Sequence, residues 1–272
     1  MNILNNHGWY IRLTVSKKVN PISAIFQERR IWSHLGWRDL RVRYVRTFIG
    51  PWWSTVALLS IVLGSSIAVG LLGNSSAWSN SPSLALSMMT WMFVSSVLIE
   101  GADVFNVDRS ILLNTRIDEN SALARVVWRN YLILLHNFPM VVLVVFFVNH
   151  SINWQVVFVL PITLFFGASL MLPMLLMSRI ATTKRDLAVL VPSIIQFGFF
   201  VTPVLWEPPQ EGSLRALFNV NPIGWIIEIN RGLGLRGEFN GGLIIVSTIC
   251  LLVSAVVFSQ VQSLVTGVRK LI

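Results

Sequence analysis

The chain has 272 residues, 54% hydrophobic and 12% charged, with 11 Trp, 16 Phe and a formal charge of +9. Soluble domains carry roughly 25% charged residues, so a globule of this makeup could not cover itself with polar surface, and the composition specifies a membrane protein. One Cys, Cys250, excludes an internal disulfide framework and a cysteine-based metal or iron–sulfur site, and the four His (His7, His34, His136, His150) form no i, i+4 pair for a metal.

The opening MNILNNHGWYIRLTVSKK has no long apolar core and no small-residue cleavage site, so no signal peptide is expected. Residues 21–48 are basic and aromatic. Trp37, Leu40, Tyr44 and Phe48 recur at helical spacing, while Arg38, Asp39, Arg41 and Arg46 lie off that stripe. The pattern predicts an amphipathic helix in the membrane interface, with a plain flank of the first span as the alternative. Gly50-Pro51 breaks the line, and Trp52-Trp53 anchor the head of the first span at the interface.

A hydrocarbon core about 30 Å thick takes about 20 apolar residues to cross as a helix. Six runs meet that length approximately: Trp52–Gly73, Leu84–Ile99, Tyr131–Val148, Trp154–Ser178, Leu187–Trp206 and Leu243–Thr266. Of the 21 Lys and Arg, 18 fall in the N-terminal segment, the second and fourth connections and the tail. The other three lie in 207–241. By the positive-inside rule both termini are cytoplasmic, and the charge is a topology signal that needs no nucleic acid to explain it. Ionisable residues are nearly absent within the spans, His136 being the main exception, which weighs against an ion-coupled pump. The sequence has no G-x-x-x-x-G-K-[ST] loop, so this chain does not bind ATP by that route.

Two connections hold more information. Residues 103–130 mix both charges and include ENSALARVVW, of helix-forming composition. They read either as a short helical hairpin projecting to dock a soluble partner or as a solvated loop. Residues 207–241 are apolar in two stretches, LRALF and NPIGWIIEINRGL, each too short to span. A re-entrant helical pair satisfies that pattern, because irregular backbone at membrane depth needs protein or water around it. An ordinary surface loop with a capped helix is the alternative. Pro222 suits a first helical turn with Asn221 as its cap, and Glu228 and Arg231 are i, i+3 neighbours able to pair.

In order and spacing, WRDLRVRYVRTFIGPWW (37–53), FFVTPVLW (199–206) and NPIGWIIEINRG (221–232) resemble motifs of the membrane subunits of ABC-2 type exporters. The likeness is to those that export polysaccharides: O-antigens of lipopolysaccharide, capsular glycans and teichoic acids. Thr202 departs from the Ser usual before the Pro, and the second cytoplasmic connection matches no family pattern.

The resemblance implies an all-α membrane protein. A cytoplasmic N-terminus with the interfacial helix (1–51) would precede a six-span transmembrane domain (52–272) with short re-entrant gate helices before the last span. It implies a multi-pass subunit of a bacterial cytoplasmic (inner) membrane, paired as a homodimer and touching a separate nucleotide-binding ATPase subunit. That partner would bind ATP and Mg, with no cofactor, metal or catalytic residue in this chain. A lipid-linked glycan would be the cargo. By analogy the interfacial helix and 103–130 receive force from the ATPase, and 207–241, with Asn221, Pro222, Glu228 and Arg231, forms the outer gate. Trp52, Trp53, Trp91, Phe199 and Phe200 are candidates to stack sugar rings along the path. Arg38, Arg41 and Arg43 are candidates for a lipid diphosphate or for ordinary anionic membrane lipid. Other readings are an ABC-2 exporter of drugs or small lipids, a scaffold, or a membrane glycosyl- or acyltransferase using Asp103, Asp108, Asp118 and Glu119.

Overall fold

The computed structural model describes residues 25–73, 78–109, 112, 118–208, 211–212, 215 and 218–242, and part of 245–260. The expected sixth span, Leu243–Thr266, lies largely outside the described residues, as do residues 1–24 and much of 110–117. Every regular element among the described residues is helical.

Helix α1 (Arg29–Tyr44) precedes α2 (Trp52–Gly73), α3 (Ser81–Ala102) and a single turn, α4 (Val104–Val107). Then come α5 (Glu119–Asn149), a 3-10 turn (Trp154–Phe158), α6 (Val159–Ser169), α7 (Met171–Thr183) and α8 (Asp186–Val201). Helix α9 (Pro222–Arg231) ends in a widened turn (Gly232–Arg236).

Four segments are long and apolar enough to cross a membrane: Trp52–Leu72, Ser81–Ala102, Glu119–Asn149 and Trp154–Thr183. Helix α8 is apolar but shorter, at 16 residues. The protein is thus an integral membrane protein, with the first four expected spans present as helices.

Helix α3 is the axis of the bundle. Of its most apolar stretch 72% is buried, against 28% for α2 and for α5, because α2, α5, α7, α8 and α9 all pack on it. The outer helices turn apolar side chains outward, among them Ile61, Ile67 and Leu71 on α2 and Val189, Ile194 and Phe197 on α8. In a bilayer such faces meet hydrocarbon, which neither penalises nor rewards them as water would.

Helix α5 departs most from expectation. It begins at Glu119, twelve residues before the expected span, and its 31 residues reach about 46 Å at 1.5 Å per residue. That exceeds the hydrocarbon thickness by about ten residues. The first turns, from Asn120 to Val127, are buried against neighbouring elements. The described part of 103–130 is therefore packed into the bundle and does not project as a separate hairpin. Helix α4 docks on α7: the Phe105 amide donates to Ser178 Oγ at 3.0 Å, and Asn106 Nδ2 to the Ala181 carbonyl at 3.2 Å.

Candidate functional site

Polar side chains gather at the two ends of α3. At one end, α1 is fastened to the head of α5. The Glu28 carboxylate, just before α1, accepts from the Ser121 hydroxyl and the Asp118 amide. Gly36 then lets the backbones approach, since a Cβ there would lie 3.1 Å from Trp128 and 3.3 Å from the Arg125 carbonyl. One turn on, Asp39 Oδ2 accepts from Arg125 Nε at 2.6 Å and Arg129 Nη1 at 3.3 Å. These contacts advance together along both helices, so α1 and the head of α5 run in the same direction.

The ion pairs continue across α3. Arg125 Nη1 reaches Asp108 Oδ2 at 3.0 Å, and Arg129 Nη2 reaches Glu100 Oε2 at 2.6 Å. Glu100 also accepts from Arg43 at 2.8 Å and from Asn130 at 2.6 Å. Asp39, Glu100 and Asp108 thus face Arg43, Arg125 and Arg129, three charges of each sign drawn from α1, α5, the end of α3 and the residue after α4. Nearby, Arg179 of α7 reaches Glu119 at 2.9 Å. Paired charges of this kind tolerate burial because each supplies the other's counterion. Burial raises the Asp108 carboxyl above the ordinary aspartate range; Arg125 opposes the shift and Asp39 adds to it.

At the other end, two of the aromatic and proline motifs close on each other. Pro203 biases Thr202 to an extended conformation (φ −85°, ψ 141°) and α8 stops there. The chain beyond leaves carbonyls at Val204 and Trp206 without helical partners. Arg231 supplies them: its Nη2 donates to the Val204 carbonyl at 2.9 Å and its Nη1 to the Trp206 carbonyl at 3.1 Å. Its Nε donates to Ser87 Oγ of α3 at 2.7 Å, and the residue is 1% exposed. Asn221 caps α9 by accepting from the Ile223 and Gly224 amides, and donates to Thr202 Oγ1 at 2.9 Å. Asn230 Nδ2 bridges Thr90 of α3 and Thr163 of α6 at 2.9 and 3.0 Å.

The widened turn folds back on α9. Glu228 therefore meets Arg236 at 2.6 Å, while Arg231, its expected partner, is 3.8 Å away. A cleft of about 510 Å³ opens beside this turn, lined by Glu207, Arg215, Phe218, Glu228, Arg236 and Asn240 among others, with the Arg215 guanidinium over the Phe218 ring.

A family model described as ABC-2 type transporter matches residues 31–234, from the first turn of α1 to the turn after α9. The chain belongs to that family. It is a transporter membrane subunit, and membership implies in general an ATPase partner. No curated protein matches the chain.

In this ABC-2 type subunit the candidate aromatic residues fall into two places. Trp91 is buried in the bundle with its ring edge-on to Phe199 at 5.5 Å, and Phe199 meets Phe200 at 5.4 Å. Trp52 and Trp53 are half exposed at the head of α2, where Trp52 lies against His136. Of the candidate arginines, Arg43 joins the ion network, Arg41 stacks over Trp37 at 5.5 Å and Arg38 is exposed. Trp37 and Phe48 point outward, so the face of α1 that meets α5 is Trp32, Gly36, Asp39 and Leu40.

The four acids weighed as catalytic have separate structural partners. Asp103 accepts from Asn106, Asp108 from Arg125, Asp118 from Asn120 and Glu119 from Arg179. Sequence reading missed Glu100, Arg125 and Arg129 as a group. The legible signal was an i, i+4 arginine pair ahead of one span and a lone acid closing another.

Proposed function

We propose that this chain is the membrane-spanning half of an exporter that moves a lipid-linked polysaccharide across the bacterial cytoplasmic membrane. ATP and Mg are bound and ATP is hydrolysed in a separate subunit, and two copies of the chain pair around the path. The observation that carries the coupling part is the double fastening of α3. Glu100 ties one end of it to α1, and Ser87 and Thr90 tie the other to α9. Ser87 and Glu100 are 13 residues apart, about 20 Å along a helix. A push on α1 at the cytoplasmic side is thereby carried by one stiff helix to the turn at 204–206 and α9, which act as the outer gate.

The glycan part is supported by the three sequence motifs and by the chemistry near the gate. Phe200, exposed, and Phe199, partly so, offer aromatic faces for sugar C–H groups, and the cleft beside α9 offers carboxylates, guanidinia and an amide for hydroxyls. With Arg38 and Arg41 exposed on α1 and Arg43 held by Glu100, the first two can meet the charge of a diphosphate-linked lipid at the start of the path.

The reading is tested in proteoliposomes holding the subunit with its ATPase partner. ATP-dependent protection of a fluorescent polyprenyl-linked oligosaccharide supports it. Transport of short-chain lipids or drugs, with the oligosaccharide untouched, replaces the cargo.

A further inference from the structure

The head of α5 holds a second feature, on the flank of α1 away from the ion network. Arg30, Ser33, His34 and Trp37 from α1 and Trp128 and Leu132 from α5 line a shallow, open cleft of about 440 Å³. Its chemistry is graded. Arg30 and His34, one helical turn apart and both exposed, stand at the rim, while Trp37, Trp128 and Leu132 make an apolar wall.

None of the six lining residues is acidic, and among the described residues neither Arg30 nor His34 meets a carboxylate. The acids in and just before α1 are engaged elsewhere: Glu28 at Ser121 and Asp118, Asp39 at Arg125 and Arg129. Among the described residues the Arg30 guanidinium is therefore a positive charge at the rim without a carboxylate partner, with the His34 imidazole one turn away.

Its depth follows from the length of α5. If the last 20 residues of α5, ending at Asn149, fill the hydrocarbon, the boundary falls near Asn130. Trp128 then sits at headgroup level and Leu132 just inside the acyl region. A ligand bridging these levels needs an anionic, hydrogen-bond-accepting head and an apolar tail.

We propose that this cleft is a binding site for one anionic phospholipid of the adjoining leaflet. Its phosphate is held by Arg30 and His34, and an acyl chain lies along Trp128 and Leu132. Arginine suits the role because its planar fork can donate two parallel bonds to phosphate oxygens. The lipid braces the flank of α1 that the ion pairs leave open, and so fixes the seat of α1 on α5. The proposal rests on the chain standing in a membrane and is independent of the cargo.

The test is native mass spectrometry of the full-length protein, titrated with phosphatidylglycerol or phosphatidylcholine bearing the same acyl chains. The wild type should retain phosphatidylglycerol about five-fold better, the ratio given by about one basic contact at a membrane surface. The R30Q/H34Q variant should fall to near parity, and Leu132→Trp, which fills the wall without changing charge, should lose retention of both lipids. Arg29→Gln, next along the helix but outside the cleft, should keep the preference. Equal retention of the two lipids by the wild type overturns the proposal. So does an equal effect of Arg29→Gln, which would mean diffuse surface attraction. Displacement of phosphatidylglycerol by equimolar polyprenyl diphosphate would also overturn it and assign the cleft to cargo.

Discussion

Asp39 of α1 and Arg125 of α5 lie 2.6 Å apart, although 86 residues separate them in the chain. Arg125 is also the counterion of Asp108, so one guanidinium fastens α1 to two other parts of the bundle. Removing one partner from a buried charge network costs roughly 3–5 kcal/mol, because the remaining charges lose their counterion. Arg125→Ala should therefore lower the thermal midpoint of the detergent-purified subunit sharply. Arg125→Lys should recover part of it at most, since an ammonium cannot reproduce the forked bonds. Tryptophan fluorescence during heating reads both, and an unchanged midpoint for Arg125→Ala would show that the pair does not hold α1.

The same network sets a pH signature. The Asp108 carboxyl is raised, chiefly by burial, so the folded protein holds its proton more tightly than the unfolded chain does. Stability from this group is fully present below an unfolded aspartate pKa of about 3.9. It is lost as pH rises through the elevated folded value. Asp108→Asn, neutral at every pH, should gain on the wild type as pH is raised from about 4 towards 7. The quantity to follow is the difference between the two midpoints across that range. A difference that shrinks with rising pH would mean that Arg125 outweighs burial at this site.

At the other end, Asn221 and Thr202 are joined by a single side-chain bond of 2.9 Å. Asn221→Ala removes that bond and the helix cap, the cap alone being worth about 1 kcal/mol. Thr202→Ser keeps the hydroxyl and should be nearly neutral, while Thr202→Val loses it. A double-mutant cycle of Asn221→Ala with Thr202→Val should give a coupling of about 0.5–1.5 kcal/mol. Strict additivity would mean that the two motifs are merely adjacent.

Arg231 makes the corresponding prediction for the turn after α8. Without it the Val204 and Trp206 carbonyls and the Ser87 hydroxyl lose a charged donor, each such bond being worth roughly 1.5–3 kcal/mol. Arg231→Met should loosen residues 204–206 at little cost in side-chain volume. Because Cys250 is the one native cysteine, a Leu205→Cys probe in a Cys250→Ser background can be labelled alone. Its labelling rate should rise several-fold with Arg231→Met, and an unchanged rate would place the latch elsewhere.

These contacts mark how far the sequence could be read. Apolar length was enough to find the first four spans, because crossing hydrocarbon is a requirement each helix meets by its own composition. The helix at α1 was equally visible from its period, but its orientation was not. Of the apolar stripe Leu40 is buried while Trp37 and Phe48 are exposed, and it is Asp39 and Arg43 that meet charges on α3 and α5. Such pairing depends on which helices are neighbours, and hydropathy carries no record of that.

The early start of α5 was hidden for a related reason. Asn120, Ser121 and Arg125 look solvated in sequence but are buried by α1, α4 and α7. On the α9 side, the Asn221 cap was legible because it is local, whereas the Glu228–Arg236 pair was not. It depends on the widened turn at Gly232–Arg236, where Gly234 passes so close to Leu86 that a Cβ would clash at 2.6 Å.

Export of a lipid-linked glycan is tested most directly by depleting the protein in its native cell and measuring extracted lipid-linked glycans by mass spectrometry. Export predicts build-up of one full-length glycan on a polyprenyl carrier, facing the cytoplasm. A pool unchanged in amount and length would contradict it and point to a different cargo for this ABC-2 type subunit.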